Sequence, residues 1–166
     1  MPVDHDIIRA IGARTRILEL GCGDGATSIE LARRGSNVTC IDLDERSIER
    51  IRSQHEGINA HVADLNDYVI ERMYDAIIMN GVLHFLSQNR AFELINACKE
   101  HTNHGGVNIV GALLEGDETG ADGYYYRSGE LRGTYADWTI VEYEESEEPD
   151  PDGGINRIAW LVAERP

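Results

Sequence analysis

Two hydrophobic periods alternate along the chain, and their alternation predicts a β/α architecture. Short apolar runs such as Ile17-Leu18, Val38 to Ile41 and Ala76-Ile77-Ile78-Met79 have the length and β-branched content of buried parallel strands. They place strands at residues 16–20, 37–42, 58–63, 74–80 and 107–114. Between them, apolar residues recur at helical spacing. Ile29 and Ala32 mark a helix over 26–34, Ile48 and Ile51 one over 45–55, and Ala91, Leu94, Ile95 and Cys98 one that Ser87 caps. Ile7, Ile8 and Ile11 predict a short opening helix, and a turn or short helix is expected around 67–71. Gly105-Gly106 is read as the turn into the fifth strand. A polar loop over 115–123 leads to Tyr124-Tyr125-Tyr126 and a short helix near 128–135. Runs at 137–144 and 155–164, separated by 146–154, read as an antiparallel hairpin. Five β/α steps plus that hairpin predict one α/β domain over residues 1–166, a three-layer sandwich around a seven-stranded, mostly parallel sheet.

Composition narrows the setting. The chain has 166 residues, 42% of them hydrophobic, enough for one core. No apolar run approaches the roughly 18 residues of a membrane span, and Met1-Pro2-Val3-Asp4 is not expected to open a signal peptide. Cys22, Cys40 and Cys98 lack metal-ligand spacing, and their odd number gives no disulfide framework. Cys40 and Cys98 fall on core-facing positions as small apolar fillers. A cytoplasmic location fits these features. Net charge is −15, from 30 acids against 15 bases, and Lys99 is the single lysine. A field of that sign opposes phosphate backbones, so nucleic acid is not the expected partner. The acid-rich stretch 142–152 reads as a solvated loop.

The most informative segment is Glu19-Leu20-Gly21-Cys22-Gly23-Asp24-Gly25, with Asp42 following Gly25 by 17 residues. Glycines on alternate positions let backbone N–H groups approach a ligand that a Cβ would push away. An acid at the tip of the second strand is placed to accept hydrogen bonds from a ribose. The dinucleotide fingerprint reads G-x-G-x-x-G and seats pyrophosphate on a helix N-terminus. Here the spacing is G-x-G-x-G, and Glu19 beside it disfavours phosphate and suits a cationic ligand end. Further strand ends add Asp64-Leu65 and Asn80-Gly81. In an open α/β sheet these ends converge on one crevice.

That combination resembles motif I of the class I S-adenosylmethionine-dependent methyltransferases. The resemblance implies the strand order 3-2-1-4-5-7-6 with the last strand antiparallel. It also implies cofactor contacts from Glu19, Gly21, Cys22 and Gly23 to the methionine moiety, Asp42 to the ribose diol, Leu43, Asp64 and Leu65 around the adenine, and Asn80 and Gly81 under the sulfonium. Val62-Ala63-Asp64-Leu65-Asn66, Val82-Leu83-His84-Phe85-Leu86, Ser128-Gly129-Glu130-Leu131-Arg132 and Gly154-Ile155-Asn156-Arg157-Ile158 are similar to the tellurite-resistance methyltransferases of the TehB type. Members are implied to move methyl from S-adenosyl-L-methionine, releasing S-adenosyl-L-homocysteine, to oxyanions of tellurium or selenium or to other soft nucleophiles. The family usually carries a longer aromatic-containing segment before the first strand. In the hairpin loop, Pro149-Asp150 stand where it has a His-Arg pair.

An ionised soft acceptor needs alignment and dry surroundings more than a general base. Arg157 is the first candidate for orienting an anionic acceptor, against a hairpin salt bridge. Arg127 with Tyr126 is a candidate wall of the acceptor pocket, and His84 a candidate base or acceptor contact. Arg132 is expected to pair with Glu130 or a neighbouring acid. The expected partner is a small-molecule acceptor, with neither nucleic acid nor membrane, and the chain a monomer or homodimer. A non-catalytic cofactor-binding protein and a nicotinamide-dependent oxidoreductase are the competing classes.

Overall fold

The computed structural model describes residues 4–116, 123–149 and 154–166. Its elements in chain order are α1 (Asp4–Ile11), β1 (Arg16–Leu20), α2 (Ala26–Arg33), β2 (Asn37–Asp42), α3 (Glu45–Gln54), β3 (Asn59–Val62), β4 (Tyr74–Asn80), α4 (Gln88–Glu100), β5 (Thr102–Leu113), α5 (Glu130–Thr134), β6 (Thr139–Pro149) and β7 (Ile155–Glu164). A single 3-10 turn, Leu83–Phe85, follows β4. The strands form one seven-stranded sheet in the order β3-β2-β1-β4-β5-β7-β6. Strands β1 to β5 pair in parallel, while β7 runs antiparallel to both β5 and β6. This is the architecture and strand order expected from the sequence.

Both faces of the sheet are buried, which is why β4 reads as a continuous apolar run from Ala76 to Met79 and β1 and β2 are mostly apolar. One core packs Leu18, Leu20, Ile77 and Met79 against Leu94, Ile95, Cys98 and Tyr135. The other packs Ile17, Val38, Cys40, Ala76 and Ile78 against Ile7 and Ile11 of α1, Ile29 and Leu31 of α2, and Ile48 and Ile51 of α3. Cys40 and Cys98 are fully buried fillers, as expected. Asp44 caps α3 and Ser87 caps α4 through side-chain oxygens that accept the Arg46 and Arg90 N–H groups.

Two expectations are corrected. Strand β5 starts at Thr102, before the glycine pair, because a register shift opposite Tyr74 and Ala76 carries the chain through it. A Cβ on Gly106 would stand 2.8 Å from the Asn103 and Asp75 carbonyl oxygens, so this irregularity needs glycine. Between β3 and β4 a turn at Leu65 to Asp67 is formed, one of the two alternatives expected there. The acid-rich stretch is largely strand. Strand β6 extends to Pro149, pairing Glu142 to Glu148 with β7, and its acids meet cations or hydroxyls: Arg9 at Glu142, Arg157 at Glu147, Ser128 at Glu145. Val141 is an extra residue in this edge strand, between Ile140 and Glu142. Asp150 lies outside the described residues.

Candidate functional site

The turn after β1 is bound to β2 at several points. Gly21 N–H and Cys22 N–H both donate to the Ile41 carbonyl, at 2.8 and 3.1 Å, and Gly25 N–H closes the turn on the Cys22 carbonyl at 2.9 Å. Gly21, Gly23 and Gly25 have φ of 73°, 52° and 80°, in the left-handed region that favours glycine. Their reasons for lacking a Cβ differ. At Gly21 it would stand 2.6 Å from Val82, and at Gly25 2.4 Å from Ile51, whereas at Gly23 it would meet nothing within 4 Å. The first and third glycines fit the turn to the core. The second leaves open space where a ligand approaches.

Asp42 completes that unit. Its Oδ2 accepts the Gly23 N–H at 2.7 Å and its Oδ1 the Asp44 N–H at 2.9 Å. At the carboxyl ends of β1, β2 and β4 opens a cleft of about 460 Å³. Gly21, Gly23, Asp42, Leu43, Asp64, Leu65 and Gly81 line it, all predicted from the sequence. Asp64 is oriented by its own turn, Oδ1 accepting from Asn66 N and Nδ2 at 2.8 and 2.9 Å. Leu43 is 67% exposed, an apolar side chain held out in water at the cleft mouth.

Three predicted cofactor residues lie behind this lining. Glu19 sits beside Cys40 in the β1–β2 register, on the face that α2 covers, where its carboxylate accepts the Ser28 hydroxyl. It is a buried acid beneath the turn. The Cys22 side chain is likewise buried. Asn80 is half-buried at the end of β4, and Gly111 makes room for it, since a Cβ there would stand 2.2 Å from Asn80 Oδ1. Sequence reasoning gave Phe85 no role, yet it is 67% exposed and lines the cleft.

The acceptor candidates His84, Arg127 and Arg157 do not line the cleft. His84 is buried, its ring 4.1 Å from that of Phe85 and 6.4 Å from that of Tyr125. The chain at Gly123 crosses so close that a Cβ would collide with the His84 carbonyl, and Tyr124 N–H donates to the Leu86 carbonyl at 2.9 Å. Arg127 and Arg157 converge on Glu115: Arg127 Nε lies 3.3 Å from its carboxylate, and Arg157 Nη1 donates to its carbonyl at 3.1 Å. Arg157 Nε also pairs with Glu147 at 3.3 Å, which is the hairpin salt bridge weighed against its acceptor role.

The Ser-Gly-Glu-Leu-Arg segment holds this loop in place. Glu130 accepts from Tyr124 Oη at 2.6 Å and from the Arg127 N–H at 2.9 Å. Burial, and then this contact with Glu130, push the Tyr124 phenol up to about 12. Glu145 accepts from Ser128 Oγ and the Gly129 N–H, both at 2.7 Å. Arg132 pairs differently from expectation, lying over the Tyr143 ring at 5.8 Å. Tyr126 is fully buried and packs edge-on to Tyr124, so it belongs to the core and walls no pocket. A larger hollow of about 830 Å³ runs along the β3 edge and meets the cleft at Ala63 and Asp64. Thr39, His61, Glu71 and Arg72 line it, and no glycine turn does.

The family described as "Tellurite resistance protein TehB" matches residues 2–159. The chain is 33% identical over 157 residues to a probable S-adenosyl-L-methionine-dependent methyltransferase TehB of Haemophilus influenzae, covering 89% of this chain and 55% of that one. The crystal structure of TehB from Haemophilus influenzae superimposes with a TM-score of 0.89 at 29% identity, over 98% of this chain and 61% of that one. The chain thus spans a little over half the length of these relatives. The N-methyltransferase NodS of Bradyrhizobium japonicum, in complex with S-adenosyl-L-homocysteine, shares the fold, with a TM-score of 0.77 at 19% identity over 98% of this chain and 85% of that one.

Proposed function

The chain belongs to the tellurite resistance protein TehB family, and from that premise we propose that it is an S-adenosyl-L-methionine-dependent methyltransferase acting on a small soft nucleophile or oxyanion. The observation that carries the reading is the cleft at the Gly23–Asp42 contact, where a glycine with open space before it adjoins a fixed carboxylate and exposed apolar side chains. These residues fit a nucleoside with a cationic amino-acid end. When bound, S-adenosyl-L-methionine supplies a methyl already activated on a sulfonium.

The chain's own residues bind, orient and exclude water. Asp42 keeps its carboxylate at the cleft, where its unused lone pairs face a sugar diol. Leu43, Leu65 and Phe85 offer apolar surface to a base. Glu19, buried beneath the turn, is the acid placed to favour an ammonium group. Asn80 and Gly81 form the floor beside β4. On the acceptor side, Arg127 and Arg157 present guanidinium forks. Their pairs with Glu115 and Glu147 are exposed, and exposed pairs are worth about 0–1 kcal/mol, so an incoming oxyanion exchanges for them at little cost. Alignment of acceptor and methyl can lower the barrier by about 7–11 kcal/mol, enough to make an acid–base pair unnecessary for an ionised nucleophile. His84 borders the same rim through Phe85 and Tyr125.

The test is incubation of the purified protein with S-adenosyl-L-methionine and a panel of tellurite, selenite and small thiols. Methylated volatiles in the headspace and S-adenosyl-L-homocysteine in solution are the expected products. Tight nucleoside binding with no methylated product from any acceptor contradicts the catalytic reading.

A further inference from the structure

The two faces of the sheet are covered unequally at its β3 end. On one face Cys40 and Ala60 share a core with Ile48 and Ile51 of α3. On the other, Thr39 and Asn59, partners in the β2–β3 register, and His61 beyond them border open space, because residues 63–73 form a turn and irregular chain with no helix. The hollow of about 830 Å³ along the β3 edge is the space this leaves. Its size falls within the roughly 300–1,000 Å³ of small-molecule sites. Residues two apart on an extended chain share a face, so the row of Asn59 and His61 continues to Ala63, which lines hollow and cleft alike.

Asp64 is the junction, lining both spaces. Its own turn uses Oδ1, which accepts the Asn66 N–H at 2.8 Å, and its carbonyl, which accepts the Asp67 and Tyr68 N–H groups at 3.1 and 2.9 Å. Asp64 Oδ2 receives no hydrogen bond among the described residues. We propose that the hollow is a subsite for a group carried on the exocyclic amine of the adenine, so that the protein binds S-adenosyl nucleosides bearing one neutral or cationic arylmethyl substituent at that nitrogen. The proposal rests on the cofactor reading, which sets the adenine against Leu43, Asp64 and Leu65. The exocyclic amine has two N–H groups, and the carboxylate oxygen left over at Asp64 needs only one of them. A single substituent replaces the second hydrogen and leaves the first to donate.

The lining selects the substituent. Tyr68, Val69 and Tyr74 offer apolar surface to an aromatic ring. Asp64, Asp67 and Glu71 outnumber Arg72, so an anionic arm meets net repulsion that salt screens.

The experiment is calorimetric titration of the purified protein with S-adenosyl-L-homocysteine and with its N6-benzyl and N6-(4-carboxybenzyl) derivatives. The benzyl derivative is expected to bind within about fivefold of the unsubstituted nucleoside. The carboxybenzyl derivative is expected to bind at least about threefold more weakly than the benzyl one, a gap that narrows in about 1 M salt. His61→Trp, or Asn59→Trp if that variant does not fold, puts an indole into the hollow. It is expected to leave S-adenosyl-L-homocysteine affinity unchanged and to weaken the benzyl derivative by at least about tenfold. A benzyl derivative more than about fivefold weaker than the unsubstituted nucleoside in the unaltered protein overturns the proposal, as does a benzyl affinity that the tryptophan leaves untouched. Carboxybenzyl binding as tight as benzyl binding overturns the charge preference. Failure of S-adenosyl-L-homocysteine itself to bind removes the cofactor reading, whereas its binding without the benzyl derivative removes the subsite alone.

Discussion

The Gly23 N–H donates to Asp42 Oδ2 across 2.7 Å, which makes the glycine turn and the acid ending β2 a single unit. Asp42 therefore has two duties, one toward the backbone and one toward a ligand, and substitutions separate them. Asn at position 42 keeps an oxygen acceptor for one backbone N–H and loses the charge. Ala leaves both the Gly23 and Asp44 donors without their acceptor. Asp42→Ala is expected to lower S-adenosyl-L-homocysteine affinity and also to cost about 0.5–1.5 kcal/mol of stability. Asp42→Asn is expected to weaken binding with a smaller loss of stability. Calorimetry and urea unfolding on both variants check this.

The glycines of the turn respond differently to alanine. Gly21→Ala drives a Cβ against Val82 and Gly25→Ala drives one against Ile51, both on positive-φ backbone. Overpacking costs about 1–3 kcal/mol, and the backbone strain adds to it. Gly23→Ala meets open space, so it carries the strain alone and spends its methyl on the ligand's approach. The expected pattern is a large drop in thermal midpoint for the outer two, with loss of nucleoside affinity the dominant effect at Gly23.

Glu130 links the tyrosine loop to α5 by receiving both Tyr124 Oη and the Arg127 N–H. Glu130→Ala is expected to raise amide hydrogen exchange across residues 124–129 while S-adenosyl-L-homocysteine affinity stays unchanged. Glu130→Gln, whose single oxygen can still accept the Arg127 N–H while its amide N–H faces Tyr124 Oη, is expected to restore part of the protection.

Far from the cleft, Asp75 joins β4 to the entry of β1 and to the β5 irregularity. Burial pushes its pKa up, but hydrogen bonds from Asn103, the Arg16 N–H and Thr15 outweigh it and leave the carboxyl below its ordinary value of 3.8. A carboxyl depressed in the folded state stabilises above its unfolded pKa, and that contribution fades as pH falls through the folded pKa. Asp75→Ala is therefore expected to be less stable than the parent at neutral pH, with the gap narrowing below about pH 4. Urea midpoints measured across that range test the sign.

The parallel half of the fold was legible because burial on both faces leaves Ala76 to Met79 as an uninterrupted apolar run, and Ile17 to Leu20 as one broken by Glu19 alone. The turn was legible because alternate glycines before a strand-end acid have few other uses. What resisted reading was set by tertiary partners. The acids of β6 resemble a loop in sequence, and only pairing with β7 and contacts such as Arg157–Glu147 make them a strand. Gly105-Gly106 signals a turn, yet Asp75 and Asn103 approach so closely that the strand itself needs glycine there. Glu19 was read correctly as an acid beside the turn, but strand parity puts it on the α2 face, under the backbone it was expected to stand before. The placement of Phe85 depends on how a single 3-10 turn is rotated, and no periodicity encodes that.

The central claim is that the cleft takes an S-adenosyl nucleoside in preference to a dinucleotide. Isothermal titration of the reduced protein with S-adenosyl-L-homocysteine and, under identical conditions, with NADH tests it most directly. The predicted result is saturable binding of S-adenosyl-L-homocysteine with a dissociation constant below about 100 μM and no measurable heat from NADH. Saturable binding of NADH with none of S-adenosyl-L-homocysteine contradicts it.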